Sequence, residues 1–264
     1  MIRIENLGVT FSRGTPLETK ALRGIDLTIN SGEFVTVIGS NGAGKSTLLS
    51  AVAGDTPVTD GRILIGERDV TKWSTARRAG LVARVFQDPL AGSCGNLSIE
   101  ENLALAAARG HRRGLGPALS AARREIFHER VSELGLGLEN RLNDLMNLLS
   151  GGQRQSLALI MATLSPSEVI LLDEHTAALD PGMAEFVLDL TERLVAERKL
   201  TTMMVTHSMR QALDVGTRTI MLHEGRIVLD VAGDMRSGLT TDDLVAMFRK
   251  VRGQELEDDS LLIE

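Results

Sequence analysis

The chain has one cysteine, Cys94, one tryptophan, six phenylalanines and no tyrosine. A single thiol excludes a disulfide framework and a cysteine-ligated zinc site, and it fits a reducing compartment. So few aromatic rings argue against a nucleic-acid reader built on base stacking. No apolar run reaches the ~18 residues that a membrane span needs. The opening stretch MIRIENLGVTF has no uninterrupted apolar core, so no secretory signal is expected there. Excess positive charge is missing too: 29 Lys and Arg against 35 Asp and Glu give a net charge of −6. That balance disfavours non-specific coating of DNA, and no nucleic-acid partner is expected. What is present is 264 residues, 43% hydrophobic and 24% charged. This is the composition of a globular protein of one or two domains, long enough to bury its own core.

Short apolar runs rich in Val and Ile, at 34–39, 61–66, 168–173 and 201–206, predict strands. Those beginning at 34, 168 and 201 do not alternate, so burial on both faces of a parallel sheet is expected. The run at 219–230 breaks at Glu224-Gly225 and predicts a hairpin. Helical patterns cover 45–54, which ends on a glycine, and 183–199, which carries one apolar face. From Ile99 to Leu164 the pattern is mostly helical, interrupted by Gly110, Gly114, Gly116 and Pro117. Strands alternating with helices around a helical insertion predict an α/β core with a helical subdomain. The last stretch, GQELEDDSLLIE, is acidic and expected to be loosely held.

Residues Gly39, Ser40, Asn41, Gly42, Ala43, Gly44, Lys45 and Ser46 spell a complete phosphate loop, G-x-x-x-x-G-K-S/T, between a predicted strand and a predicted helix. Glycines let the backbone curl so that successive N–H groups face phosphate oxygens. The helix that follows offers its positive end to the anion. Lys45 is placed to reach the β and γ phosphates, Ser46 to ligate Mg²⁺, and Thr47 to bond the α phosphate.

A second set of polar groups follows the strand at 168–173. Ligands of open parallel sheets bind at the carboxyl ends of strands, and Asp173 and Glu174 stand at such an end. Adjacent strand residues point to opposite sides. The expectation is Asp173 in the metal shell and Glu174 on the attacking water as general base, beside the phosphate loop if the two strands are neighbours. Further upstream, Ser150, Gly151, Gly152 and Gln153 open another helix with the spacing of a capping box. Two glycines in a first helical turn cost roughly 1 kcal/mol each, but they suit close approach of an anion to the free N–H groups.

Phosphate loop, LSGGQ, the LLDE strand and a later strand ending near His207 stand in this order along nearly the whole chain. In this the sequence resembles the ATP-binding subunits of ABC transporters. The resemblance implies a P-loop NTPase (RecA-like) α/β core with an N-terminal antiparallel β subdomain. A helical subdomain at about 88–165 is inserted into an ATP-binding domain spanning 1–235, and 236–264 forms a short C-terminal extension. It implies hydrolysis of ATP with Mg²⁺, and head-to-tail pairing with a second, identical ATP-binding subunit whose Ser150–Gln153 segment closes over the first chain's ATP. By the same resemblance Gln87 senses Mg²⁺ and water, His207 contacts the γ phosphate, Asp180 communicates between the two sites, and Phe11 stacks on adenine. Two positions depart from the common pattern: His175 replaces a frequent proline and Ala177 a frequent serine.

The segments VFQDPLAG, DEHTAALD and RGHRRGLG narrow the resemblance to importer ATPases that work with branched-chain-type permeases, some linked to aromatic amino acids. The implied setting is the cytoplasmic face of a membrane, against permease subunits, with a substrate-binding protein acting indirectly. An ABC ATPase with an assembly role and no transport stays open as the alternative. A repair ATPase would need a long coiled coil between loop and signature, where about 100 residues without sustained heptads stand. A translation factor of the family would carry two tandem copies. Arg109, His111, Arg112, Arg113, Arg123 and Arg124 form a basic cluster, read either as a solvated face or as a surface for anionic lipid or a membrane partner.

Overall fold

The structure, a computed structural model, describes residues 1–111 and 116–250. Two sheets form its framework. The first is antiparallel, in the order β2-β1-β4-β5, from β1 (Ile2–Phe11), β2 (Thr19–Ile29), β4 (Asp60–Ile65) and β5 (Arg68–Asp69). The second runs β10-β9-β3-β8-β7-β6, from β3 (Phe34–Gly39), β6 (Val82–Val85), β7 (Val169–Asp173), β8 (Thr201–Val205), β9 (Arg218–His223) and β10 (Arg226–Ala232). Strands β9, β3, β8, β7 and β6 are parallel to one another, and β10 returns antiparallel after the turn at Glu224-Gly225. This is the expected α/β architecture with an antiparallel β subdomain.

The central strands are buried on both faces, as their lack of alternation predicts. Every residue of β8 is buried. Val35, Val37, Leu171 and Met203 pack with Ile4, Ile25 and Ile63 of the antiparallel sheet and with Leu48 and Val52 of α1 (Lys45–Ala53). Their neighbours in sequence, Phe34, Ile170, Leu172 and Met204, face the other way, toward the helices. Each such side chain contributes roughly 1.5–3 kcal/mol on burial. The helical layer comprises α3 (Ile99–Ala107), α4 (Ala121–Ser132), α5 (Gly151–Leu164) and α6 (Pro181–Arg198), following the short α2 (Thr75–Arg78). Leu103, Phe127, Leu157, Val187 and Leu190 fill it.

The long helical stretch expected from 99 to 164 is thus broken into α3, α4 and α5. Helix α6 starts at Pro181, two residues before the periodicity begins, because the Asp180 carboxylate accepts the Met183 N–H at 3.1 Å and Pro181 fits the first turn. Residues 241–250 are helical, and Leu244 is fully buried against Ile38, Ala212 and Met221. The acidic stretch 253–264 lies outside the described residues.

One buried cation ties the framework to the site. Arg78, 1% exposed, donates from Nη1 to the carbonyls of Ala51 at 2.5 Å and Val52 at 2.9 Å, and from Nη2 to Thr71 at 2.9 Å. The first two are last-turn carbonyls of α1, at the negative end of that helix. Arg78→Met leaves three carbonyls without this donor. We expect a loss of roughly 2–4 kcal/mol, read as a lower urea midpoint at unchanged slope.

Candidate active site

At the carboxyl edge of the parallel sheet, β3 ends in Gly39, where an added Cβ would lie 2.2 Å from the Leu222 carbonyl oxygen. The loop enters α1 through Gly44 at φ 101°, where a Cβ would meet the Ala21 carbonyl oxygen at 2.7 Å. Both positions therefore require glycine. Lys45 is 5% exposed, and its Nζ donates to the carbonyls of Gly39 and Ser40, both at 2.9 Å. An ammonium has three protons, so one remains for the adjoining cavity of about 210 Å³. Residues 41–47 line that cavity together with Ala21, Glu174 and His207. Burial pulls the Lys45 ammonium below the ordinary lysine value, and the Glu174 and Asp173 carboxylates oppose that shift. A partly desolvated cation beside a ring of backbone donors is suited to a polyphosphate.

The strands carrying the loop and the acidic pair are not neighbours: β8 lies between β3 and β7. The condition left open by the sequence, that the two strands are neighbours, is not met, and the intervening strand brings His207, just past β8, between the two. Asp173 Oδ1 lies 3.5 Å from Ser46 Oγ. Two hard oxygens so placed suit Mg²⁺, which takes few protein ligands and fills its octahedron with water and phosphate. Among the described residues no group of three or more His, Cys, Asp or Glu could hold a metal by itself.

Glu174 does not continue the strand. Its backbone is left-handed at φ 49°, a conformation that costs roughly 1–2 kcal/mol in a non-glycine residue. The side chain is aimed by this turn rather than by strand alternation. The Glu174 N–H donates to the Val205 carbonyl at 3.0 Å, and Glu174 Oε1 is 2.7 Å from His207 Nε2. The other carboxylate oxygen is left free of this pair. The next residue, His175, is buried, with Nε2 3.0 Å from Thr191 Oγ1. That hydroxyl donates to the Val187 carbonyl at 2.7 Å, so it accepts from His175 Nε2–H. Burial pushes the His175 pKa down to about 4, keeping the ring neutral. The departure from proline thus gives the turn a hydrogen-bonded anchor on α6.

Other expected residues stand outside this cavity. Gln87 is exposed, two residues past β6. Phe11 ends β1 at 44% exposure, so it is no core residue. Ser150 and Gln153 form a reciprocal capping box at the start of α5. Gly151 is exposed, whereas Gly152 is buried against Met183 of α6, whose Cγ and Cβ would lie 3.0 and 3.3 Å from an added Cβ, so the close approach of α6 favours glycine there. Asp180 caps α6. In the basic cluster, Arg109 donates to the Ala162 carbonyl at 2.7 Å and Arg124 pairs with Glu100 at 2.7 Å. Arg112 and Arg113 lie outside the described residues.

Sequence reading missed Arg84, whose Nη2 donates to Asp173 Oδ2 at 2.6 Å. The available signal was a lone charge inside the apolar run LVARVF, which demands a partner when buried. A larger groove of about 900 Å³ opens beside it, lined among others by Arg84, Phe86, Cys94, Leu105, Arg109 and Met161.

Fold and cavity together define a P-loop nucleotide-binding protein with Asp173 and Glu174 beside its loop. Residues 22–177 match the family described as ABC transporter. The chain is 40% identical to a tyrosine transport ATP-binding protein of Clostridioides difficile, over 94% of this chain and 98% of that one. It is 36% identical to the thiamine import ATP-binding protein ThiQ of Yersinia pestis, over 78% and 82%. Among solved structures, the dimeric ATP-binding cassette MJ0796 bound to ADP and phosphate matches with a TM-score of 0.76 at 29% identity, over 88% of this chain and 98% of that one. The chain belongs to the ABC transporter family, as an ATP-binding subunit with ATPase activity.

The state of His175 gives a pH signature. In the unfolded chain its imidazole takes up a proton near pH 6.5, but in the folded one only near 4. Between those values the unfolded state binds more protons, so folding stability falls as pH falls, by up to about 3 kcal/mol. His175→Gln should flatten the dependence of unfolding free energy on pH over this window, measured by urea denaturation at pH 4.5, 5.5 and 7.

Proposed function

We propose that this chain is the ATP-hydrolysing subunit of an importer for amino acids or similar small solutes, driven by ATP-dependent head-to-tail closure of two such chains. The observation that carries this reading is that the Ser150–Gln153 helix start does not line the cavity within one chain. Residues 41–47, Glu174 and His207 line it, while the Ser150–Gln153 helix start lies elsewhere with Ser150 and Gly151 exposed. The dimeric form of the MJ0796 cassette is in keeping with it. The names of the relatives, tyrosine transport and thiamine import, support an importer, and the first of them supports amino-acid cargo.

In this reading the ATP-binding domain spans 1–235, with the helical part at 88–165 inserted. Phe11 stacks on adenine, backbone amides of 40–44 and the α1 dipole hold the phosphates, and Thr47 bonds the α phosphate. The free Lys45 proton meets the β and γ phosphates. Ser46, Asp173 and Gln87 would hold Mg²⁺, which would supply neutralisation of the phosphate charge. Glu174 takes the proton of a water whose oxygen attacks the γ phosphorus as the bond to the leaving ADP oxygen breaks. His207 fixes Glu174 Oε1 and shares the γ phosphate. Ser150, Gly151, Gly152 and Gln153 of the second chain close the site, and Asp180 links the two sites.

Among the described residues no helix is long and apolar enough to cross a membrane. The chain is proposed to sit at the cytoplasmic face, with permease subunits seated in the groove beside Phe86 and with the substrate-binding protein acting through them.

Glu174→Gln retains side-chain volume and an acceptor oxygen but loses the base. Loss of a general base is worth roughly 10²–10⁴-fold in rate. The variant should accumulate as an ATP-bound dimer on size-exclusion chromatography, while the unmutated chain dimerises only transiently. A variant that binds ATP yet stays monomeric counts against head-to-tail closure.

The tagged chain, expressed in its own cells and recovered from solubilised membranes, should bring down polytopic proteins. Recovery of soluble partners alone favours the assembly role.

A further inference from the structure

The wall of the groove and the acidic side of the nucleotide site share one side chain. Arg84 stands in β6 between the buried Ala83 and Val85, and its side chain is 14% exposed. Nη2 donates to Asp173 Oδ2 at 2.6 Å. Nη1 donates to Asp55 Oδ2 at 2.7 Å and to Ser50 Oγ at 3.2 Å. The guanidinium carbon lies 4.7 Å from the centre of the Phe86 ring, and Nε is buried without a hydrogen-bond partner. Asp55, Arg84 and Phe86 all line the groove. Asp173, at the other arm, presents Oδ1 to Ser46.

We propose that Arg84 is a positioning residue that couples metal binding at Asp173 to the shape of the groove, a coupling that rests on the roles given above to Asp173 and to the groove. One planar cation is shared between two carboxylates on different elements, so a change at one alters its hold on the other. A divalent cation at Oδ1 draws charge from the Asp173 carboxylate and weakens its grip on Nη2. The guanidinium then shifts its balance toward Asp55, and with it moves the groove wall over Phe86. Its unpartnered Nε–H means that the present fork is not fully satisfied, which favours such a shift. Lysine lacks the planar fork whose two Nη groups face separate carboxylates.

Cys94 is the chain's sole cysteine, is exposed, and lines the same groove. It can carry an environment-sensitive maleimide dye in the full chain. Mg²⁺ is titrated at a saturating non-hydrolysable ATP analogue, and dye emission is followed. The unmutated chain should show an emission shift with Mg²⁺. Arg84→Met should lose that shift while its affinity for the analogue in EDTA stays unchanged, and Arg84→Lys should not restore it. Asp55→Asn, which cuts the groove-side arm alone, should weaken the shift in the same way and serves if Arg84→Met does not fold. A full shift in Arg84→Met, or no shift in the unmutated chain, overturns the coupling. Asp173→Asn separates the two readings. A shift that survives there removes Asp173 from the metal shell. A shift lost there but kept in Arg84→Met removes only Arg84.

Discussion

The site depends on the register of three parallel strands. Val37 of β3 is level with Val205 of β8, and Val205 is level with Asp173 of β7. Two residues beyond Val37 comes Gly39, two beyond Val205 comes His207, and one beyond Asp173 comes Glu174. Loop, histidine and acidic pair therefore leave the sheet at one height, though 39, 174 and 207 are far apart in sequence. A slip of one residue would send every side chain of a strand to the opposite face. Burial on both faces blocks the slip, because Leu171 and Leu172 pack into two different apolar layers. Packing in the core thus fixes the geometry at the rim.

Much of this was legible in the sequence. The phosphate loop is local: glycine spacing, strand and helix are written in consecutive residues, and α1 and Gly54 fall where the pattern puts them. The capping box of Ser150 and Gln153 and the hairpin at Glu224-Gly225 are local for the same reason. Strand order was not legible, since nothing in β7 or β8 states which of them borders β3. The edge strand β6 escaped notice because Arg84 breaks its apolar run. That break has a physical cause, a carboxylate one strand away. Glu174 shows a different limit. Alternation along a strand is a sound rule only while the strand lasts, and it ends one residue too early.

Glycine in the LSGGQ segment illustrates how one residue type answers two demands. Gly152 lies against Met183, and the close approach of α6 favours its lack of a side chain. Gly151 is exposed, and packing gives no reason for it. The capping box already occupies the N–H groups of Ser150 and Gln153. The amides of Gly151 and Gly152, at the first two helical positions, are among those with no intrahelical acceptor. In the reading proposed above, those donors and the α5 dipole meet the second chain's γ phosphate.

Three groups at this rim sit in uncomfortable environments. Lys45 is buried with its charge, Glu174 holds a left-handed backbone, and Arg84 carries an unpartnered Nε. Each costs on the order of 1–3 kcal/mol in isolation. The surrounding layers are well filled and offset such costs, whereas the same groups spread through the core would gain nothing. In the readings proposed above, each one has a use at the rim. A desolvated ammonium attracts phosphate more strongly than a hydrated one, because the competing water is already gone. In the reading proposed above, the Glu174 carboxylate, aimed by a turn that His175 anchors on Thr191 and paired with His207, has little freedom left to lose when the reacting water arrives. The strain is local, and the core that over-determines it is why it persists.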